Sequence, residues 1–251
     1  MAHDGDANEP PATTTTNGRV ATNDNALVSD PVPLLAILSA NIQGLTSARS
    51  KHKLGMLSEK AEDENIAIAT LTESHLNSNI LEVEILMKGY EAFRTDRAEG
   101  TRKGGVLTYV RNDVNPGTAV MKSESVGNIE YQMLKIPRLN MIYIAVYRPP
   151  TAELHHFEQV VQSIRQSIEN EQGVMPNIVL TGDLNLPIIQ WEDLTVKGGT
   201  CLQQAQAKLL IELFDDFFLE QSVCCPTRGS NILDLFSTND PDLIANISIV
   251  L

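Results

Sequence analysis

The sequence predicts a mixed α/β domain, because short apolar runs of strand length alternate with amphipathic stretches of helical period. Behind Pro31 and Pro33, the run Leu34-Leu35-Ala36-Ile37-Leu38 reads as a first strand. Residues 50–64, with Leu54 and Leu57 among charged neighbours, read as a helix, and Ile66 to Leu71 as an apolar strand. Strands are expected at 104–110 (GGVLTYV), 129–136 and 140–147 (NMIYIAVY). A helix is expected over 152–169, where Leu154, Phe157, Val160, Val161, Ile164 and Ile168 fall on one side. Beyond Gly173 and Pro176 come a strand from Asn177 to Thr181 and a helix at 201–215. Strands near 218–223 and 231–237 and an apolar run at 247–251 close the chain. Trp191, Phe214, Phe217 and Phe218 are expected in the core.

With 251 residues, 42% of them hydrophobic and 20% charged, the chain can build a real core and is neither collagen-like, coiled-coil nor wholly disordered. No run of about 18 uncharged apolar residues exists, which excludes a membrane-spanning helix. Nineteen Lys and Arg against 32 Asp and Glu give a net charge of −13, which argues against loose, charge-driven adhesion to nucleic acid. A nucleic-acid enzyme remains open, because carboxylates that hold a metal make a site locally negative. Residues 1–30, with Asp4, Asp6, Glu9, Asp24 and Asp30 against Arg19 alone, and with the tract Thr13 to Thr16, read as a disordered acidic and polar tail. The remainder, 31–251, shows no repeat and reads as one domain. Cys201, Cys224 and Cys225 form neither a disulfide framework nor a zinc pattern, and fit reduced thiols of an intracellular protein. The start MAHDGDANEP lacks the features of a signal peptide.

The most informative segment is Thr181-Gly182-Asp183-Leu184-Asn185-Leu186-Pro187. In extended backbone, Asp183 and Asn185 point to one face and can reach one ligand, although the pair alone is equally an Asx-type turn after a strand. Four other strands also finish in polar groups: Asn41 and Gln43 after the first, Thr72-Glu73-Ser74-His75 after the second, Tyr147-Arg148 before Pro149-Pro150, and Asp234 flanked by Leu233, Leu235 and Phe236. A carboxylate in such apolar company needs a partner or a metal.

The blocks ANIQGL, TLTESHL, FRTDR followed by GGVLTYV, AVYRPP, VLTGDLNLP and PTRGSNILDLFST stand in the order found in the exonuclease–endonuclease–phosphatase (deoxyribonuclease-I-like) superfamily. Over residues 34–238 the chain most resembles the apurinic-endonuclease-like domain of non-LTR (LINE-type) retrotransposons. That resemblance implies a four-layer α/β sandwich, two mixed β-sheets packed face to face with helices outside. It implies Glu73 as the metal-holding glutamate with Asn41, and with Gln43 nearby; Asp183 orienting or deprotonating the attacking water; and Asn185 and Tyr147 beside the scissile phosphate. Thr227 matches a phosphate-binding hydroxyl, and Asp234 an aspartate that orients a late histidine. Mg²⁺, with Mn²⁺ the alternative, suits oxygen ligands of this kind. The implied activity is nicking of DNA to leave a 3′-hydroxyl, used by a fused or downstream reverse transcriptase.

The family's late Ser-Asp-His segment has no counterpart before Leu251, so a C-terminally truncated domain of impaired activity is expected. His75, close to Glu73 in sequence, is weighed as a substitute for the late histidine from the cleft rim and set aside, and His155 and His156 are expected to be solvated at the start of a helix. Arg148, Arg228 and Arg97 are the candidate phosphate contacts, with Arg94, Arg102 and Lys103 in the same loop-rich stretch as Arg97. No organic cofactor, no membrane association, a monomer and an intracellular place with nuclear access are expected. Two other readings stay open: a phosphodiesterase of the same superfamily acting on a lipid, inositol phosphate or RNA, and a binding module without catalysis.

Overall fold

Twelve strands and three α-helices lie within residues 35–45, 52–97 and 103–243, the part of the chain that the computed structural model describes. All of it falls inside one compact unit, Val32–Leu251. Strand β1 (Ala36–Asn41) leads to helix α1 (His52–Asp63), which crosses to β2 (Ile66–Thr72), and the two strands pair in parallel. Strands β3 (Tyr90–Thr95) and β4 (Val106–Arg111) complete a four-stranded sheet in the order β1-β2-β4-β3, with antiparallel pairing beyond β2.

A second sheet begins with β5 (Ala119–Val126), β6 (Ile129–Ile136) and β7 (Met141–Tyr147), each antiparallel to the one before. Helix α2 (Leu154–Glu169) carries the chain to β8 (Asn177–Asp183), parallel to β7. The short pair β9 (Ile189–Gln190) and β10 (Thr195–Val196) precedes helix α3 (Cys201–Phe217). Strands β11 (Glu220–Gln221) and β12 (Asp234–Thr238) finish a six-stranded sheet ordered β11-β12-β8-β7-β6-β5.

Side-chain alternation then dictates the layers. On β7, Met141, Tyr143, Ala145 and Tyr147 turn toward the four-stranded sheet, packing with Ile68, Val106 and Val110. Ile142, Ile144 and Val146 turn the other way, onto Phe157, Val160, Val161, Ile164 and Ile168 of α2 and Leu210, Leu213 and Phe214 of α3. The spacing of the α2 residues is one face of a 3.6-residue helix, and each such buried side chain contributes about 1.5–3 kcal/mol. Leu57 and Ala61 of α1 cover Ala69 and Leu71 on the outside of the smaller sheet. The result is the expected four-layer order of helix, sheet, sheet and helix. A polar seam crosses the inner layer. Thr70 meets Thr108 at 3.2 Å and the Tyr143 hydroxyl at 2.8 Å, and the Thr108 hydroxyl donates to Gln132 Oε1 at 2.8 Å.

Four expectations are corrected. Strands β3 and β5 were not anticipated; both lie at sheet edges and are largely part-exposed or exposed, so neither shows an apolar run. The strand near 218–223 shrinks to Glu220–Gln221. Phe218 is not core: it caps α3 in a left-handed conformation, φ 54°, and is 75% exposed. Asp234 opens its strand and is part-exposed, rather than enclosed by the apolar residues around it. The tail 1–30, Arg102 and the run 247–251 lie outside the described residues. Among those described, no helix is long and apolar enough to cross a membrane.

Candidate active site

Register alone assembles half of the site. Partners across a β-ladder project to the same face, and Glu130 pairs with Tyr147, Tyr147 with Asp183, and Asp183 with Asp234. One row across β6, β7, β8 and β12 therefore turns three carboxyls and a phenol toward the smaller sheet. Glu130 was not anticipated, although a charged residue opening the buried strand IEYQMLKI was a readable signal.

The smaller sheet supplies the other half. Asn41 ends β1, and its Nδ2 donates to Glu73 Oε1 and to Asp183 Oδ2, both at 2.8 Å. One amide nitrogen thus ties the ends of the two sheets together, with both of its hydrogens used on carboxylates. The amide oxygen faces the Gln43 backbone N–H at 3.3 Å, so Asn41 as placed organises the two carboxylates through nitrogen. The loop bearing Glu73 is fixed by backbone bonds from Gly44 N to Glu73 O (2.7 Å), Ser74 N to Gly105 O (3.2 Å) and His75 N to Gly104 O (2.9 Å). Gln43, Glu73, His75 and Asn185 all hold positive φ, from 47° to 57°. Such backbone is costly for residues with side chains and persists only where its surroundings enforce it.

Burial governs the electrostatics. Asp183 is wholly buried, and desolvation, reinforced by Asp234, pushes its carboxyl up to about 6 against the bonds from Asn41 and Arg228. Burial, with Glu73 and Asp183 close by, raises the Tyr147 phenol further above its ordinary value, so at neutral pH it remains a proton donor. Glu130 is fully buried and its Oε2 has no hydrogen-bond partner. Desolvation lifts it to about 7, against the Gly105 backbone and the Arg97 guanidinium, whose Nε lies 3.4 Å away. A carboxyl standing near 7 when folded and near 4.5 when unfolded holds its proton more tightly in the native chain. Its contribution is complete below the unfolded value and is lost as pH rises through 7. Glu130→Gln should therefore match the parent at pH 4 and exceed it at pH 8 by about 3 kcal/mol in metal-free urea unfolding.

The remaining candidates separate into cleft and scaffold. Asn185 is buried, with its Nδ2 donating to the Arg148 carbonyl at 3.0 Å. Thr227 Oγ1 accepts the backbone N–H groups of Leu233 (3.0 Å) and Asp234 (3.1 Å), which leaves its own proton to donate. Arg228 is partly exposed and reaches Asp183 Oδ2 at 3.2 Å. Arg148 corrects the expectation of a phosphate contact. Its guanidinium is buried, donates to the carbonyls of Leu184 (3.0 Å) and Asn185 (3.3 Å) and to Gln206, and stacks over Phe157. It braces the loop that carries Asn185. Arg97 is engaged by Glu130 and by the Lys103 carbonyl at 2.7 Å, and Arg94 by Asp96, Glu82 and the carbonyls of Asn77 and Ile80. Trp191 packs against Phe214 with ring centroids 5.4 Å apart.

A divalent cation fits this donor set. Glu73, Asp183, Asp234 and Glu130 face two guanidinium groups, and the buried atoms Asp183 Oδ1 and His75 Nε2 have no hydrogen-bond partner. Separately, Glu153, His155 and His156 at the start of α2 bring ligand atoms within 4.8 Å of one another, a grouping that solvated histidines did not lead one to expect.

Residues 141–250 match the protein family described as endonuclease-reverse transcriptase. No curated protein sequence matches the chain. Among solved structures it is similar to the AP endonuclease LMAP of Leishmania major, with 15% identity, a TM-score of 0.58 and coverage of 83% of this chain and 80% of that one. It is also similar to an AP endonuclease of Archaeoglobus fulgidus, with 10% identity, a TM-score of 0.55 and coverage of 83% and 88%. A mannosyl-6-phosphatase of Bacteroides thetaiotaomicron gives 12% identity, a TM-score of 0.53 and coverage of 81% and 85%.

Proposed function

From the premise that the chain has the deoxyribonuclease-I-like fold and an endonuclease-reverse transcriptase match over 141–250, we propose that it is a metal-dependent phosphodiesterase that nicks DNA. The observation that carries this reading is the single Asn41 amide nitrogen joined to Glu73 and Asp183 at the meeting point of the two sheets.

Mg²⁺ held by Glu73, with Mn²⁺ as alternative, would neutralise phosphate charge and act as a Lewis acid when bound. Asp183, buried beside Asn185, takes the proton of the attacking water, and Asn41 fixes the angle of its carboxylate. Tyr147, Asn185 and Thr227 are neutral donors, which stabilise developing negative charge on phosphate oxygens without bringing a carboxylate's repulsion. Arg228 presents a cation to the phosphate from the cleft rim, and its pairing with Asp183 holds it there until substrate arrives. Asp234, in register with Asp183, restrains the ionisation of its neighbour. The finer reading is that the nick leaves a 3′-hydroxyl which a reverse transcriptase, fused or downstream, extends; the pairing of the two activities in the family's description, endonuclease-reverse transcriptase, supports it.

Supercoiled plasmid and small phosphomonoesters, offered side by side with Mg²⁺, test this reading. Nicked circles bearing 3′-hydroxyl ends are the expected product, lost on EDTA treatment. Turnover of the small esters alone would move the chain to the phosphatase reading that the mannosyl-6-phosphatase likeness favours. DNA binding without turnover would leave a binding module. Adding a Ser-Asp-His segment downstream and repeating the assay measures whether that segment raises the rate.

A further inference from the structure

We propose that His75 is a ligand of the divalent cation, donating Nε2 beside Glu73, so that this site is a mixed oxygen–nitrogen one with a preference for Mn²⁺ over Mg²⁺. The proposal rests on the metal-dependent reading above.

Four features of the loop after β2 converge on it. Glu73 uses Oε1 to accept from Asn41 and presents Oε2 to the imidazole, with Nε2 of His75 at 3.5 Å. That nitrogen is buried and has no hydrogen-bond partner, a costly state for a polar atom unless something else satisfies it. Adjacent donors on one octahedral cation at about 2.1 Å lie about 3 Å apart, so both atoms reach a shared ion once the 3.5 Å gap closes by about half an ångström. The pose is also built rather than incidental. Glu73 and His75 both hold left-handed backbone, at φ 50° and 57°, and are tied down on either side by Gly44 and Gly104. Gly44, at φ 95°, makes room for the ring: a Cβ there would stand 3.0 Å from His75 Nδ1.

The chemistry follows from ligand type. Carboxylate and amide oxygens suit Mg²⁺, whereas imidazole suits first-row transition ions and raises their affinity relative to Mg²⁺. Exchange of bulk Mg²⁺ for Mn²⁺ would then alter the site through the nitrogen donor and not only through ionic size.

The test is pulsed electron paramagnetic resonance of the full chain loaded with one equivalent of Mn²⁺. Echo modulation from a directly bound ¹⁴N is expected in the parent, in His155→Ala and in His156→Ala. It should vanish in His75→Ala and in His75→Gln, with Mn²⁺ affinity lowered about 10-fold and Mg²⁺ affinity changed much less. The parent measurement needs no variant to fold. Mn²⁺ bound without ¹⁴N modulation, or modulation that survives loss of His75, would overturn the proposal while leaving the phosphodiesterase reading intact. Mn²⁺ binding that is indifferent to Glu73→Gln would remove both.

Discussion

Asp183→Asn should lower the rate of plasmid nicking by about 10³-fold while leaving the melting temperature at pH 8 unchanged or higher. The two halves of that expectation have one cause. Asp183 is wholly buried, and its folded carboxyl stands near 6. An ionised group with a raised folded value weakens the native state above that pH, so a neutral amide of the same shape removes a cost. The amide still accepts from Asn41 through its oxygen, which keeps the two sheets joined. Arg228 bonds the same oxygen, so its hydrogen bond is kept and only the charge of the pair is given up, a contact of small worth where the guanidinium is partly exposed. What is lost is the ability to take a proton from water. Initial rates on supercoiled plasmid, read with a thermal melt of the same preparation, separate the effects. A variant that stays active would show that the base lies elsewhere in the row, with Asp234 the first place to look.

The fold was legible where burial imposed a period. The apolar run of β7 and the residues 157, 160, 161, 164 and 168 of α2 admit one reading each. Edge strands gave no such signal: β5 is AVMKSESV, polar through its second half and largely exposed. The site was legible through polar groups at the C-terminal ends of β1, β2, β7 and β8, which is where Asn41, Glu73, Tyr147 and Asp183 stand. Glu130 escaped that rule for a topological reason. Strand β6 runs antiparallel to β7, so its beginning, not its end, reaches the cleft. Asp234 also opens an antiparallel strand, and its relevance comes from register with Asp183 rather than from enclosure in apolar side chains. Arg148 was misjudged because its place beside Tyr147 suggested a shared target. Neighbours on an extended strand point to opposite faces, and its face is the helical layer, where Phe157 and Gln206 receive it.

Gly182→Ala should be the most damaging alanine substitution among the described glycines, costing about 3–5 kcal/mol and about 10 °C or more of melting temperature. Gly182 sits at φ 129°, a region that residues with a Cβ seldom enter. Most of the cost is steric. Gly182 pairs with Val146 across the parallel β7–β8 ladder, and an added Cβ would be driven into the Val146 carbonyl oxygen, with the Val146 carbon and nitrogen both 2.9 Å away. All three atoms are backbone, so no rotamer change relieves the clash and the two central strands must part. Gly173 supplies the control. It holds φ 99° with nothing within 4 Å of the place a methyl group would take, so Gly173→Ala carries the backbone strain without the collision and should cost about 1–2 kcal/mol. The difference between the two variants in urea unfolding isolates the close approach of the strands. That approach matters to chemistry as well, since the next pair in the ladder is Tyr147 with Asp183. Any Gly182→Ala protein that does fold should therefore nick DNA more slowly than Gly173→Ala. Equal melting temperatures for the two variants would mean that β7 and β8 are not pressed together at this point, and that something other than strand contact sets the position of Asp183.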